Sequence, residues 1–260
     1  MNVPLLNVTA ATRRFGGLVA VNEVSFEIGS GQVCGLIGPN GAGKSTMFDL
    51  ITGVRPLSSG SIHFMGTDVT QAPAHTRSPM GMSRTFQIVR LFPGMSVLEN
   101  ILMGFQPKFP DGVIRSLLGL GKLGGQERAA RQRAFEILDF VGLADRAGDR
   151  IDELTLGQLR LVDIGRAMAA SPRFLMLDEP AAGLNDAETN NLAEMLSRLK
   201  ADGLSMLLVE HDIDFIMNAC DKIVVMDRGT KIADDVPARV RTNDAVIAAY
   251  IGKRAHDAQH

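Results

Sequence analysis

The chain has 260 residues, 45% of them hydrophobic, with 27 Lys and Arg against 29 Asp and Glu. That is the composition of a folded protein near the size at which one core gains a small second lobe, and it excludes disorder, collagen-like repeats and low-complexity structure as the main description. A net charge of −2 lacks the cationic excess that holds phosphate polymers, so nucleic acid is not expected as a partner, and no apolar run approaches the roughly 20 residues of a membrane-crossing helix. The opening Met1-Asn2-Val3-Pro4-Leu5-Leu6 has no cationic start and no long apolar centre, so a secretion signal is not expected and a cytoplasmic location is. Cys34 and Cys220 sit among apolar residues without metal or disulfide spacing and read as buried thiols.

In chain order, Val24-Ser25-Phe26-Glu27-Ile28 alternates with period two and predicts a half-exposed strand. Val33-Cys34-Gly35-Leu36-Ile37 is continuously apolar and predicts a strand buried on both faces. A Gly-rich stretch and helix-compatible Met47-Phe48-Asp49-Leu50-Ile51 follow, and Ser61-Ile62-His63-Phe64 then predicts a second half-exposed strand. Residues 91–173 contain no convincing strand but show helical spacing at Ala130, Ala134, Ile137, Leu138 and Val141. Phe109-Pro110-Asp111-Gly112 and the glycines of 119–125 read as loops. Residues 174–177, 205–209 and 223–226 predict three more doubly buried strands. Helices are expected around Leu192, Met195, Leu196 and Leu199, and around Val246, Ile247 and Tyr250. The expected fold class is α/β, a mostly parallel sheet covered by helices with an antiparallel β portion and an inserted helical subdomain. The division expected is a core of 1–90 and 174–260 with a helical subdomain of 91–173.

Gly38-Pro39-Asn40-Gly41-Ala42-Gly43-Lys44-Ser45-Thr46, between strand and helix, is a complete P-loop in its required context. Its backbone N–H groups and the positive end of the following helix converge on β- and γ-phosphates, Lys44 adds charge, and the Ser45 hydroxyl is placed to ligate Mg²⁺. The apolar run 174–177 ends in Asp178-Glu179. Asp178 would hold Mg²⁺, directly or through water, and Glu179 would take a proton from the attacking water. His211 follows another apolar run, at a strand's C-terminal end where α/β ligand sites gather. His63, His75, His256 and His260 have no such setting. Gly119-Leu120-Gly121-Lys122-Leu123-Gly124 matches a dinucleotide-binding pattern, with Asp139 about 20 residues on, but no buried strand precedes it and Asp139 falls inside an amphipathic helix.

Leu154-Thr155-Leu156-Gly157-Gln158 resembles the signature of ATP-binding-cassette (ABC) ATPases and begins about 20 residues before the acidic strand. With it the whole chain resembles that family, in the P-loop NTPase fold. The resemblance makes Phe15 the aromatic that stacks on adenine, Gln87 the Q-loop residue touching metal, water and a transmembrane partner, Ala182-Gly183-Leu184-Asn185 the D-loop, and His211 the switch histidine at the γ-phosphate. It implies ATP and Mg²⁺ as ligands, with Ser45, Gln87 and Asp178 at the metal and Glu179, His211, Gln87 and Lys44 in catalysis. The signature would open a helix of about 159–170, where Thr155, Gly157 and Gln158 form a second anion site for the γ-phosphate held by another cassette. Leu156 in place of a glycine, Leu159 in place of a polar residue and Asn185 in place of an aspartate depart from the common pattern and leave the equality of the two composite sites open.

Phe15-Gly16-Gly17-Leu18, Pro180-Ala181-Ala182-Gly183-Leu184-Asn185 and the run from Asn243 to Gly252 resemble the larger ATPase subunit of branched-chain, or hydrophobic, amino acid importers. That resemblance implies a second ATPase subunit in a homo- or heterodimer, permease subunits, a solute-binding protein acting through them, and a peripheral place on the cytoplasmic face of the inner membrane. Exposed apolar residues within Arg90-Leu91-Phe92-Pro93-Gly94-Met95 would suit a groove for a short permease helix. Arg128, Arg131 and Arg133 read as a solvated basic face. The alternatives are a soluble non-transport ABC ATPase and an ATP-gated scaffold. Against the former, only about 110 residues separate Lys44 from Leu154, too few for the long coiled coil of DNA-repair relatives, and there is one cassette where translation factors usually carry two. Against the latter stand Glu179 and His211. A P-loop kinase would need neither signature nor switch histidine.

Overall fold

The structure, a computed structural model, describes residues 3–85, 90–105 and 125–257, so Gln87, residues 109–112 and the glycine-rich 119–124 lie outside the described residues. The chain runs through β1 (Leu6–Phe15), β2 (Leu18–Ile28), β3 (Val33–Ile37), α1 (Lys44–Thr52), β4 (Ser59–Phe64), β5 (Thr67–Asp68), α2 (Ala74–Arg77) and β6 (Met82–Arg84). It continues through α3 (Val97–Met103), α4 (Gly125–Phe140), α5 (Leu156–Ala169), β7 (Phe174–Asp178), α6 (Asp186–Ala201) and β8 (Ser205–Val209). α7 (Ile213–Ala219), β9 (Lys222–Asp227), β10 (Thr230–Asp235), α8 (Pro237–Arg241) and α9 (Asp244–Asp257) complete it.

The strands form two sheets whose burial matches the two sequence patterns. An antiparallel sheet of order β2-β1-β4-β5 carries the alternating strands, with Val24, Phe26 and Ile28 buried and Glu27 exposed. The second sheet, ordered β10-β9-β3-β8-β7-β6, is parallel except for the antiparallel edge pair β9 and β10. Its inner strands are apolar on both faces because both are covered. Leu175 and Leu177 of β7 pack with helices α3 to α7, while Phe174 and Met176 pack with α1 and the inner face of the antiparallel sheet. Cys34 and Cys220 fall into these two opposite cores, buried and unbonded, and burial pushes the Cys34 thiol up to about 12.

Between β6 and β7 the described residues hold α3, α4, α5 and two 3-10 turns, with a single bridge between Ser96 and Arg150 as their only β pairing. Two details differ from the sequence reading. α5 begins at Leu156, three residues before the expected start, because Thr155 caps it. In α9 Val246 is buried and Tyr250 half-buried, whereas Ile247 is 40% exposed, so the apolar face is narrower than its spacing suggested.

The strand order gathers the site. β8 lies between β3 and β7, so the segments leaving the C-terminal ends of three neighbouring parallel strands meet at one sheet edge. Those segments are the P-loop after β3, Glu210-His211 after β8, and the end of β7 with Glu179.

Candidate active site

The P-loop is shaped by close approach. Gly43 caps α1 at φ 100°, and a Cβ there would lie 2.5 Å from the Ala20 carbonyl, so only glycine lets the start of α1 rest against β2. The turn between β9 and β10 braces the loop, Gly229 N–H donating to Ala42 O at 3.0 Å and Asn22 N–H to Gly229 O at 2.8 Å. Lys44 is buried, its Nζ donating to Gly38 O at 2.7 Å and Pro39 O at 3.0 Å. Asn40, Gly41 and Ser45 are exposed, Pro39 and Thr46 half-buried, Gly38 and Ala42 buried. Phe15 ends β1 at the turn into β2, only partly covered, with the Arg13 and Arg55 guanidinium groups 4.7 and 5.4 Å from its ring centroid.

At the end of β7 the backbone N–H of Asp178 donates to the buried Thr85 hydroxyl at 3.2 Å. Asp178 Oδ1 is buried with no hydrogen-bond partner among the described residues. Burial, followed by the charge of Glu179, raises this carboxyl to about 6. A carboxylate oxygen without a donor is satisfied by a hard divalent cation, and the exposed Ser45 hydroxyl offers a second oxygen. No cluster of three His, Cys, Asp or Glu that could hold a metal occurs among the described residues. The donor set therefore fits a cation that takes most of its ligands from phosphates and water.

Glu179 sits at φ 50°, a left-handed conformation that costs a non-glycine residue about 1–3 kcal/mol and persists where its surroundings over-determine it. Its N–H donates to Val209 O at 2.8 Å, and its Oε1 lies 2.6 Å from His211 Nε2. Glu210, which sequence reasoning passed over, is buried between them and accepts from Ala181 N–H at 2.6 Å and His211 N–H at 3.1 Å. Its signal was a charged residue directly after the apolar run Ser205–Val209. Thr85 gave no comparable signal.

Thr155, Gly157 and Gln158 lie together at the start of α5. Thr155 Oγ accepts from Gln158 N–H at 3.3 Å, and Gln158 Oε1 accepts from Thr155 N–H at 3.0 Å, a reciprocal cap. A Cβ on Gly157 would lie 2.5 Å from Glu188 Oε1, and one on Gly183 would lie 2.8 Å from Leu156 Cδ2. The signature thus abuts the start of α6 in the same chain, with Leu156 48% exposed. Asn185 caps α6, accepting from Glu188 N–H at 3.0 Å, a role an aspartate fills equally well.

A groove of about 940 Å³ runs beside this edge, walled by Val54, Met82, Arg84, Phe92, Met103 and Arg166 among others. Its rim loop is held from two helices. Buried Asn100 of α3 accepts from Phe92 N–H at 2.8 Å, and Arg166 of α5, paired with buried Asp163 at 2.5 Å, donates to Arg90 O. Phe92 is 41% exposed.

Comparison with known proteins agrees with this geometry. The ABC transporter family profile matches residues 21–182, and one described as branched-chain amino acid ATP-binding cassette transporter matches residues 230–256. The chain is 39% identical, over 97% of its own length and 100% of theirs, to the high-affinity branched-chain amino acid transport ATP-binding proteins BraF of Pseudomonas aeruginosa and LivG of Escherichia coli K12. A crystal structure of the ADP conformation of an ATP-binding cassette of an ABC transporter superposes with a TM-score of 0.83 at 32% identity, covering 96% of this chain and 99% of the other. With a P-loop, an acidic strand end and a histidine gathered at one sheet edge, and with near full-length relatives of this kind, the chain belongs to the ABC transporter family as an ATP-binding cassette, an ATPase subunit.

Proposed function

We propose that this chain hydrolyses Mg·ATP to power import of branched-chain or other hydrophobic amino acids, or similar small carboxylates, through membrane permease subunits fed by a solute-binding protein. The observation that carries the hydrolytic part is the 2.6 Å contact of Glu179 Oε1 with His211 Nε2 at the strand ends beside the P-loop. The cargo rests on the names of BraF and LivG and on the profile matching residues 230–256.

In this reading Phe15 carries the adenine and Gly38 to Thr46 cradle the phosphates, with the Lys44 ammonium on the β- and γ-groups. Ser45 and Asp178 would hold Mg²⁺, with Gln87, outside the described residues, as a further ligand. When bound, the ion neutralises charge spreading over the transferring phosphoryl group. Glu179 removes a proton from water as its oxygen bonds to the γ-phosphorus and the bond to the ADP oxygen breaks, giving ADP and inorganic phosphate. His211 fixes that carboxylate and contacts the γ-phosphate.

The start of α5, with Thr155, Gly157 and Gln158, closes over the γ-phosphate of a second cassette, in a homo- or heterodimer. The Leu156 side chain against Gly183 is compatible with composite sites of unequal rate. The grooved edge at Phe92 receives a permease helix, which places the chain peripherally on the cytoplasmic face of the membrane; no helix among the described residues is long and apolar enough to cross one. Residues 1–90 and 174–260 then form the nucleotide-binding core, and 91–173 the helical subdomain that carries the signature.

The test is Glu179→Gln. ATP affinity stays within a few-fold of wild type, while steady-state phosphate release falls by about 10² or more, the worth of a general base. Turnover surviving in that variant removes Glu179 from the role.

A further inference from the structure

We propose that Glu210 is a positioning residue for water activation, its buried carboxylate fastening the turn that carries Glu179 to the strand end that carries His211. The proposal rests on the reading of Glu179 as base given above. Glu210 follows β8 directly and is 3% exposed. Oε1 accepts from Ala181 N–H at 2.6 Å and Oε2 from His211 N–H at 3.1 Å, so both oxygens are engaged on main-chain donors.

The two donors are not interchangeable with others nearby. Ala181 lies two residues beyond Glu179, and His211 is the residue whose ring meets Glu179. Together with Glu179 N–H on Val209 O, they close a ring in which one main-chain bond, one carboxylate and one pair of side chains join the ends of β7 and β8. Glu179 needs such bracing because its backbone is left-handed, a conformation retained only when its neighbours leave it no alternative. Burying a carboxylate to satisfy two N–H groups is itself costly, and burial raises its affinity for a proton. A small polar residue or water would cap either donor. Only a two-oxygen acceptor of this length holds both, and holding both fixes where the Glu179 carboxylate points relative to the His211 ring.

The diagnostic variant is Glu210→Gln. It keeps size and shape but turns an NH₂ toward one of the two N–H groups, breaking one of the two bonds. In the full chain hydrolysing Mg·ATP, kcat falls tenfold or more while the KM for ATP stays within twofold and the thermal midpoint within a few degrees. Glu210→Asp, which keeps the charge but withdraws the oxygens by one methylene, is a second variant with the same expectation should the amide fail to fold. The decisive arm is the double variant Glu179→Gln with Glu210→Gln: it is no more than twofold slower than Glu179→Gln alone, because a residue acting through Glu179 has nothing left to position.

Wild-type kcat in the Glu210 variants overturns the proposal. So does a further tenfold loss in the double variant, or a parallel collapse of KM, kcat and thermal midpoint, which marks a purely structural role. Wild-type turnover in Glu179→Gln alone is a different failure, since it removes the base and this proposal with it.

Discussion

Asp178 is held by its surroundings in an unfavourable charge state, and that leaves a trace in stability. Burial and the neighbouring Glu179 raise its carboxyl to about 6, above the 3.8 of an exposed group. Below about pH 4 the proton is bound in both folded and unfolded chains; between the two values the folded chain keeps it and the unfolded chain has lost it. The stabilisation is therefore fully present in acid and is lost as pH rises through about 6. In chelator, without a divalent ion, Asp178→Asn is expected to gain on wild type by on the order of 2–3 kcal/mol between pH 4 and pH 7, read from urea midpoints at each pH. A constant difference across that range removes the buried charge from the account. Residues of this kind were legible because their partners are local in sequence: Lys44 and Ser45 within one loop, Asp178 and Glu179 side by side. Glu210 was not, since its acceptor role depends on Ala181, 29 residues away. Nor was Arg77, buried without a carboxylate, whose guanidinium donates to the carbonyls of Leu50, Ile51, Val69 and Ala72 and so ties down the end of α1.

Among elements, the informative case is α5, which begins at the signature and reaches the groove. Its Thr155 and Gln158 cap was written in the sequence, but apolar spacing sets in only with Leu159 because Leu156 points out to solvent, so periodicity alone placed the start a turn too late. β6 went unread for another reason: a three-residue strand at the sheet edge is too short to show a period. α5 also carries Arg166, which bonds the rim loop at Arg90 O and lies 5.9 Å over the Phe92 ring. One rigid helix thus joins the groove to the signature. Phe92→Asp is expected to lower transport by about tenfold or more in reconstituted vesicles, because a desolvated anchor at a docking surface is worth about 2 kcal/mol or more, while nucleotide affinity of the isolated chain stays within twofold. Transport at the wild-type rate excludes Phe92 from the docking surface.

For the molecule as a whole, the fold class was readable because a doubly buried strand and a half-exposed one have different periods. The sequence did not reveal that α9, the last helix, returns to the beginning of the site. The backbone of Gly38 lies beside its half-buried Tyr250, and burial pushes that phenol up to about 12. The chain has one tyrosine and no tryptophan, so its near-ultraviolet emission comes from that single ring at the P-loop. ADP or ATP is expected to change this emission saturably, at the concentration where calorimetry finds binding, and Tyr250→Phe to abolish the signal while leaving the affinity within a few-fold. Emission indifferent to nucleotide at saturation disconnects α9 from the loop.

The order of strands also dictates when the protein can first work. β3 is flanked by β8 and β9, which lie about 170 to 190 residues further along. A chain emerging from the ribosome at about 5–20 residues per second therefore carries its phosphate loop on an unpaired, sticky strand until synthesis is almost finished. A chain shortened by its final quarter keeps every glycine of that loop but loses both strands that flank the one it grows from.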